Sequence, residues 1–230
     1  MSITERFINA LFRFLFRLLY TFDAKEFAKV PRKGPLMIVA NHTSALDGPL
    51  MYVFLRPRRM SALAKEELWN HWFTRFVMNL WTSIPINRQN MSKEAMNSCF
   101  SVLRNGNILA VAPEGTRSSD GALQQGKAGV AFIAYKEAVP LVPITLTGFE
   151  HSRRYWKKLR RAPLELRVGP VFEIVDNQGR LDAAKREHLV DEIMLRLAQQ
   201  LPASLQGYYQ DHPQVFTLTK LSNDLTEPTD

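Results

Sequence analysis

The sequence predicts one α/β domain, a mixed central sheet flanked by helices, preceded by an amphipathic helix. Three observations predict it. Short apolar runs of strand length alternate with helix-length stretches through the middle of the chain. Gly, Pro and Asn punctuate the boundaries of these runs. The one long apolar segment lies at the N-terminus and is interrupted by arginines. The 230 residues are 46% hydrophobic and 23% charged, an ordinary balance for a domain with a real core. The division expected is residues 1–30 as an interfacial helical segment, 31–215 as the domain, and 216–230 as a flexible tail. The stretch Asp224 to Asp230 is acidic, polar and Pro-containing, and reads as frayed.

Ile3 to Tyr20 is a helix rich in Phe and Leu. At about 100° per residue, Arg6, Arg13 and Arg17 fall within roughly 40° of one another. The result is a narrow cationic stripe beside a broad aromatic face. Arg13 and Arg17 interrupt the apolar stretch that a membrane span requires. A secretory signal would show an uninterrupted apolar core and a small-residue cleavage site. An interfacial helix fits the pattern, with Arg13 and Arg17 at headgroup level and Phe14 among the acyl chains. The other reading is a helix packed on the protein's own core.

After Gly34-Pro35, Leu36 to Asn41 reads as a buried strand. Leu46 to Leu55 reads as a helix, Met60 to Ala64 as a strand, and Glu66 to Leu80 as a helix. Ile84 to Asn87 is a short strand, and Ser92 to Leu103 a helix stopped by Asn105-Gly106. Ile108 to Ala112 is a buried strand and Gly126 to Glu137 a helix. Leu141 to Thr147 is a strand whose Pro143 predicts an edge or a bulge. Leu164 to Val168 and Val171 to Val175 are expected to pair through a turn at Gly169-Pro170. Leu181 to Leu201 is an amphipathic helix.

The net charge of +8 favours anionic partners without choosing among them. Cys99 is the single cysteine, which excludes an intrachain disulfide and reads as a small buried hydrophobe. The absence of CxxC and HExxH patterns argues against a metal site. The run Arg153, Arg154, Lys157, Lys158, Arg160 and Arg161 suits anionic headgroups, a nucleotide-bearing thioester or an acidic carrier protein. It also reads as a solvated helix face. Only Tyr155 and Trp156 interleave it, so nucleic acid is not expected as a partner.

Three clusters carry chemistry. His42 and Asp47, in Asn41 to Pro49, meet only if the chain turns between them. Asp then fixes the tautomer of His, which becomes a general base near neutral pH. The alternative is a His held by a structural Asp. Ala112 to Ser118 (APEGTRS) follows a buried strand. Its Pro and Gly set a tight turn, and Arg117 offers planar donors for phosphate. Glu114 would orient Arg117 or hold a hydroxyl, unless the segment is a solvated surface turn. In Ile84 to Arg88 (IPINR), Arg88 is a second candidate for phosphate or an ordinary surface arginine.

In this order and at strand ends, N-H-x4-D, I-N-R, P-E-G-T-R and V-P-I (Val142 to Ile144) resemble the four motifs of the glycerol-3-phosphate / lysophosphatidic acid acyltransferase family. The resemblance covers roughly residues 33–148, and Ala64 to Leu68 (AKEEL) is similar to a further segment of it. It implies an α/β acyltransferase fold with a helical motif on the membrane, His42 as catalytic base and Asp47 as its partner. It implies acceptor binding by Arg88, Glu114, Gly115, Thr116 and Arg117, with Pro143 shaping the acyl-donor side. Two departures stand out. Asn87 precedes Arg88 where many members have Asp, and Lys127 follows Gly126 where many members place lysines before the glycine.

The activity implied is transfer of an acyl chain from acyl-CoA or acyl carrier protein to the free hydroxyl of a lysophospholipid, foremost 1-acyl-sn-glycerol-3-phosphate. No cofactor is needed beyond that co-substrate. The expected location is the cytoplasmic face of a membrane. The alternatives are another lysolipid acceptor, a thioesterase or phosphoesterase using the same dyad on water, or a non-enzymatic lipid-binding module.

Overall fold

The computed structural model describes residues 2–87, 91–175 and 179–222. Its centre is five parallel strands: β2 (Leu36–Ala40), β3 (Met60–Lys65), β4 (Ile84–Ile86), β5 (Ile108–Val111) and β6 (Leu141–Thr147). Their spatial order is β6-β2-β5-β3-β4, so β2 and β5 are neighbours although two strands separate them in sequence. Both are buried on both faces, which explains their continuous apolar runs. Ile38 and Ala40 face a layer formed by α1 (Ile3–Leu19), α2 (Asp47–Phe54) and α3 (Trp72–Leu80). Met37 and Val39 face α4 (Lys93–Arg104), α5 (Ala128–Glu137) and α7 (Ala183–Ala198). Helices thus cover both faces of the sheet.

This wiring positions the site. From the carboxyl end of β2 the chain runs to α2 on one face. From the carboxyl end of the adjacent β5 it runs to α5 on the other. Between them lies the switch point at which open α/β sheets bind ligands.

Several expectations are corrected. The late strands β8 (Glu165–Val168) and β9 (Phe172–Ile174) do not pair with each other; both run antiparallel along β6. Ile144 pairs with Val168 and Leu141 with Phe172, so Val142-Pro143 lies opposite one residue more, Gly169 to Val171. That is a bulge in the partner, and it lets Pro143, which has no N–H to donate, sit inside the sheet. The stretch from Glu66 to Leu80 is broken: a 3-10 turn covers Glu66–Trp69, and α3 starts only after His71 caps Phe73 N–H.

The expected tail from 216 instead supplies β10 (Thr219–Leu221), antiparallel to β9. Buried Glu192 pins it by accepting from Thr217 N–H at 2.7 Å, Leu218 N–H at 2.8 Å and Thr219 hydroxyl at 2.8 Å. The segment Asp224 to Asp230, expected to fray, lies outside the described residues. Cys99 is fully buried, and burial pushes its thiol up to about 12.

The first segment is not separate from the domain. Phe16, Tyr20, Phe27 and Val30 belong to the core shared with α2 and α3. Trp81 donates its indole N–H to Asn9 Oδ1 at 3.2 Å, and Phe12 packs edge-on against Trp81. Tyr20–Thr21 (β1) pairs in parallel with Ala162–Pro163 (β7), which follows the short helix α6 (Ser152–Trp156). Ile3, Phe7, Leu11, Phe14 and Leu18 line the opposite face of α1 and are exposed. No described helix is long and apolar enough to cross a membrane.

Candidate active site

His42 leaves the end of β2 and Asp47 opens α2, with a turn between them. The turn is closed by one carboxylate oxygen. Asp47 Oδ2 accepts from His42 Nδ1–H at 2.9 Å, Thr43 N–H at 2.9 Å and Ser44 N–H at 2.8 Å. The Asp47 side chain is 3% exposed and the His42 side chain 22%. With Nδ1 committed to Asp47, Nε2 is the nitrogen left to accept a proton from a bound hydroxyl. Asn41, one residue back, accepts from Leu146 N–H at 2.8 Å and donates to Leu146 C=O at 2.9 Å. It thereby stitches the ends of β2 and β6 where the ladder stops.

The loop after β5 is fastened to the same backbone. Gly115 N–H donates to Ala112 C=O at 3.0 Å, closing the tight turn, and Gly115 has φ +68. Ser118 N–H donates to His42 C=O at 2.8 Å. Glu114, 2% exposed, takes His42 N–H on Oε1 at 3.0 Å and Gln124 N–H on Oε2 at 3.0 Å. Glu114 therefore cross-links β2, the turn and the segment beyond it; no ion pair to Arg117 is present among the described residues. Burial pushes its carboxyl above the ordinary range, against the pull of the Gln124 and His42 N–H groups.

Thr116 and Arg117 are exposed on the loop's outer side. Pro143 is buried within β6, paired with Val39 and packed against Gly169, below the rim that carries His42. The structure thus gathers His42, Asp47, Glu114, Gly115, Thr116 and Arg117 and leaves Pro143 beneath them. Arg88 lies outside the described residues; β4, which leads to it, ends on the same carboxyl edge as β2. Just before it, Asn87 donates to Glu66 Oε1 at 3.0 Å, joining the IPINR and AKEEL segments.

The sequence left the role of Lys127 in doubt. Lys127 N–H donates to Pro113 C=O at 2.9 Å, and its side chain lies across the turn. A Cβ built on Gly115 would meet Lys127 Cδ, Cε and Nζ at 2.8, 2.9 and 2.9 Å. Lys127 immediately precedes α5, whose first turn has no side-chain cap. Gly126-Lys127 thus immediately precedes the helix that the chain enters after the motif loop.

The α1 residues divide. Arg13 turns inward, its Nε–H donating to Val53 C=O at 2.6 Å, and both Arg13 and Arg17 stand over the Phe54 ring. Desolvation lowers the pKa of Arg13, as do the nearby Arg17 and Arg56. α2 thus offers Arg13, which is half-buried, a carbonyl and a ring, while Arg17 is exposed. Phe14 remains 61% exposed.

A family model described as acyltransferase matches residues 23–147, more than half of the chain. The chain belongs to the acyltransferase family. Among its relatives, a probable 1-acyl-sn-glycerol-3-phosphate acyltransferase of Mycoplasma pneumoniae is 31% identical over 155 residues, 64% of this chain and 57% of that protein. The 1-acyl-sn-glycerol-3-phosphate acyltransferase of Bacillus subtilis is 27% identical over 130 residues, 56% of this chain and 64% of that protein. The human 1-acyl-sn-glycerol-3-phosphate acyltransferase beta is 31% identical over 162 residues, 69% of this chain and 56% of that protein. The chain spans less than two thirds of the length of each of these curated relatives. Among solved structures, the 1-acyl-sn-glycerophosphate (LPA) acyltransferase PlsC of Thermotoga maritima superposes with a TM-score of 0.59 at 26% identity, covering 82% of this chain and 76% of that one. The mixed sheet flanked by helices matches that acyltransferase fold, and the region that the family model matches includes His42, Asp47 and the Glu114–Arg117 turn.

Proposed function

We propose that this acyltransferase-family protein transfers a fatty acyl chain from a thioester to the free hydroxyl of a lysophospholipid, 1-acyl-sn-glycerol-3-phosphate being the acceptor favoured by its relatives. The observation that carries the reading is the His42–Asp47 pair at 2.9 Å, with Asp47 further fixed by Thr43 and Ser44 N–H. His42 Nε2 takes the proton of the acceptor hydroxyl. The hydroxyl oxygen attacks the thioester carbonyl, and the tetrahedral intermediate collapses with loss of the thiolate. His42 then returns the proton to the sulfur. Asp47 stabilises the imidazolium that forms between these steps.

Arg117, exposed on the turn, is assigned to the acceptor phosphate, with Arg88 as its companion. Lys127 Nζ and the uncapped first turn of α5 lie beside Gly115, a suitable position for the oxyanion or for donor phosphate. Glu114 acts as a positioning residue, because both its oxygens are occupied by backbone. The exposed face of α1 supports a reading in which the protein docks on a membrane surface, Phe7, Phe14 and Leu18 entering the acyl region.

Wild type and His42→Ala, purified in detergent, would be compared for thiol release from acyl-CoA and acyl carrier protein with and without lysophosphatidic acid. Lipid products would be identified by mass spectrometry. Acceptor-dependent release giving phosphatidic acid, lost in the variant, is the result expected. Equal release without acceptor would replace this reading with a thioesterase.

A further inference from the structure

The turn after α6 carries a side chain that its backbone does not favour. Leu159 N–H donates to Trp156 C=O at 2.9 Å and Arg160 N–H to Tyr155 C=O at 3.1 Å, the paired bonds of a Schellman motif. Its left-handed position normally takes Gly or Asn, yet Leu159 occupies it with φ +52. That side chain is 99% exposed. An apolar side chain in a strained position, fully in water, has no role in the folded domain itself.

Its neighbours say what covers it. Lys157 and Lys158 precede it and Arg160 follows, all exposed. The sequence from Ser152 to Leu164 contains no Asp or Glu. The acids flanking that stretch are engaged: Glu150 with His151 at 3.5 Å, and Glu165 with Arg167. The turn is also fastened to the last turn of α1. Trp156 indole N–H donates to Leu19 C=O at 3.2 Å, Arg161 donates to Tyr20 C=O at 2.9 and 2.6 Å, and Tyr20 pairs with Ala162. The exposed apolar stripe of α1 ends at Leu18, next to this junction.

We infer that the Lys157–Arg160 turn is an anionic-phospholipid docking loop, with Leu159 entering the leaflet and Lys157, Lys158 and Arg160 binding headgroup phosphates. It rests on the membrane reading of α1 and adds a second, charge-selective contact at that helix's C-terminal end. The continuity with α1 favours a lipid leaflet over an acidic carrier protein. Two contacts fix the orientation of a body that one helix would leave free to roll.

The test is vesicle flotation of the full chain with phosphatidylcholine alone and with added phosphatidylglycerol. The variants are Leu159→Gly and the triple change Lys157→Gln, Lys158→Gln, Arg160→Gln. The triple variant should lose its preference for phosphatidylglycerol vesicles by on the order of a hundredfold, with neutral-vesicle binding unchanged. Leu159→Gly should bind both vesicle types roughly tenfold more weakly. Its melting temperature should be equal or higher, because Gly suits the left-handed position. A purely structural role predicts the reverse for that variant, full binding with altered stability. If both variants float like wild type, the inference fails. It also fails if they float normally but turn over an acyl carrier protein donor slowly, which would make the occupant an acidic protein. Wild type that binds no vesicle overturns this inference and the membrane reading together. Flotation needs no catalysis, so a chain that floats selectively but transfers no acyl group overturns the acyltransfer reading alone.

Discussion

Glu114 holds His42 by its main chain: the His42 N–H meets Oε1 at 3.0 Å while Oε2 takes the N–H of Gln124 at 3.0 Å. A carboxylate in the P-E-G-T-R loop therefore sets where the base candidate leaves β2. Glu114→Ala removes both bonds and should lower kcat by about a hundredfold, with a smaller effect on KM, since small misplacements of a base are costly. Glu114→Gln keeps one acceptor and turns an amide toward the other N–H. It should fall between alanine and wild type in steady-state assays.

The same carboxyl gives a pH signature. Its folded value is raised by burial, so the folded state holds the proton more tightly than the unfolded chain does. The contribution of Glu114 to stability is then full below the ordinary value of 4.5 and is lost as pH rises through the raised folded value. Urea midpoints measured across that window should decline less with rising pH in Glu114→Gln than in wild type.

Asp47→Asn should leave the volume of the site intact and spoil its chemistry. An amide whose NH₂ faces His42, Thr43 and Ser44 accepts from none of them and donates to Nδ1, which enforces the wrong tautomer; with its oxygen facing them it keeps the bonds but not the charge that stabilises the imidazolium. A kcat loss of about 10²- to 10⁴-fold is expected. Unpaired backbone N–H groups should lower stability by about 1–3 kcal/mol. Kinetics and thermal melts on the same preparation check both.

Arg117 is exposed and carries no described carboxylate partner, so its removal should cost binding and not fold. Arg117→Ala should raise the KM for the phosphorylated acceptor by roughly ten- to a hundredfold at an unchanged melting temperature. Arg117→Lys should recover only part of this, because a point charge does not match phosphate bidentately.

A C-terminal hook reaches back to the active-site segment. Leu123 N–H donates to Leu205 C=O at 3.0 Å, Tyr208 N–H to Leu123 C=O at 3.0 Å, and Gly126 N–H to the Tyr209 hydroxyl at 3.0 Å. Gly207 sits at φ +52 with space for no side chain: a Cβ there would lie 2.2 Å from Leu123 C=O. Gly207→Ala should destabilise the protein by about 3 kcal/mol. Tyr209→Phe should cost about 1 kcal/mol and lower kcat through the Gln124–Lys127 segment. Denaturant midpoints and kinetics on these two variants test the coupling.

The parallel strands were legible because β2 and β5 are apolar without interruption, as strands covered on both faces are. The His42–Asp47 contact was legible because their spacing demands a turn. The roles of Glu114 and Arg13 were not. Each is a charged residue whose partners are backbone groups distant in sequence, and no local pattern encodes those. β10 escaped for a related reason: Thr219 to Leu221 is too short to show a period, and Glu192 on α7 holds it in place.

The hook also sets a limit on modularity. The family match ends at residue 147, yet the other edge of β6 is completed by β8 and β9, and the Leu123–Lys127 segment is tethered by residues 205–209. A fragment cut at the family boundary would leave a raw sheet edge and a Leu123–Lys127 segment with nothing to hang from. Chimeras that exchange motif loops between relatives should therefore carry the matching C-terminal piece with them, because the two have been fitted to each other across more than eighty residues of chain.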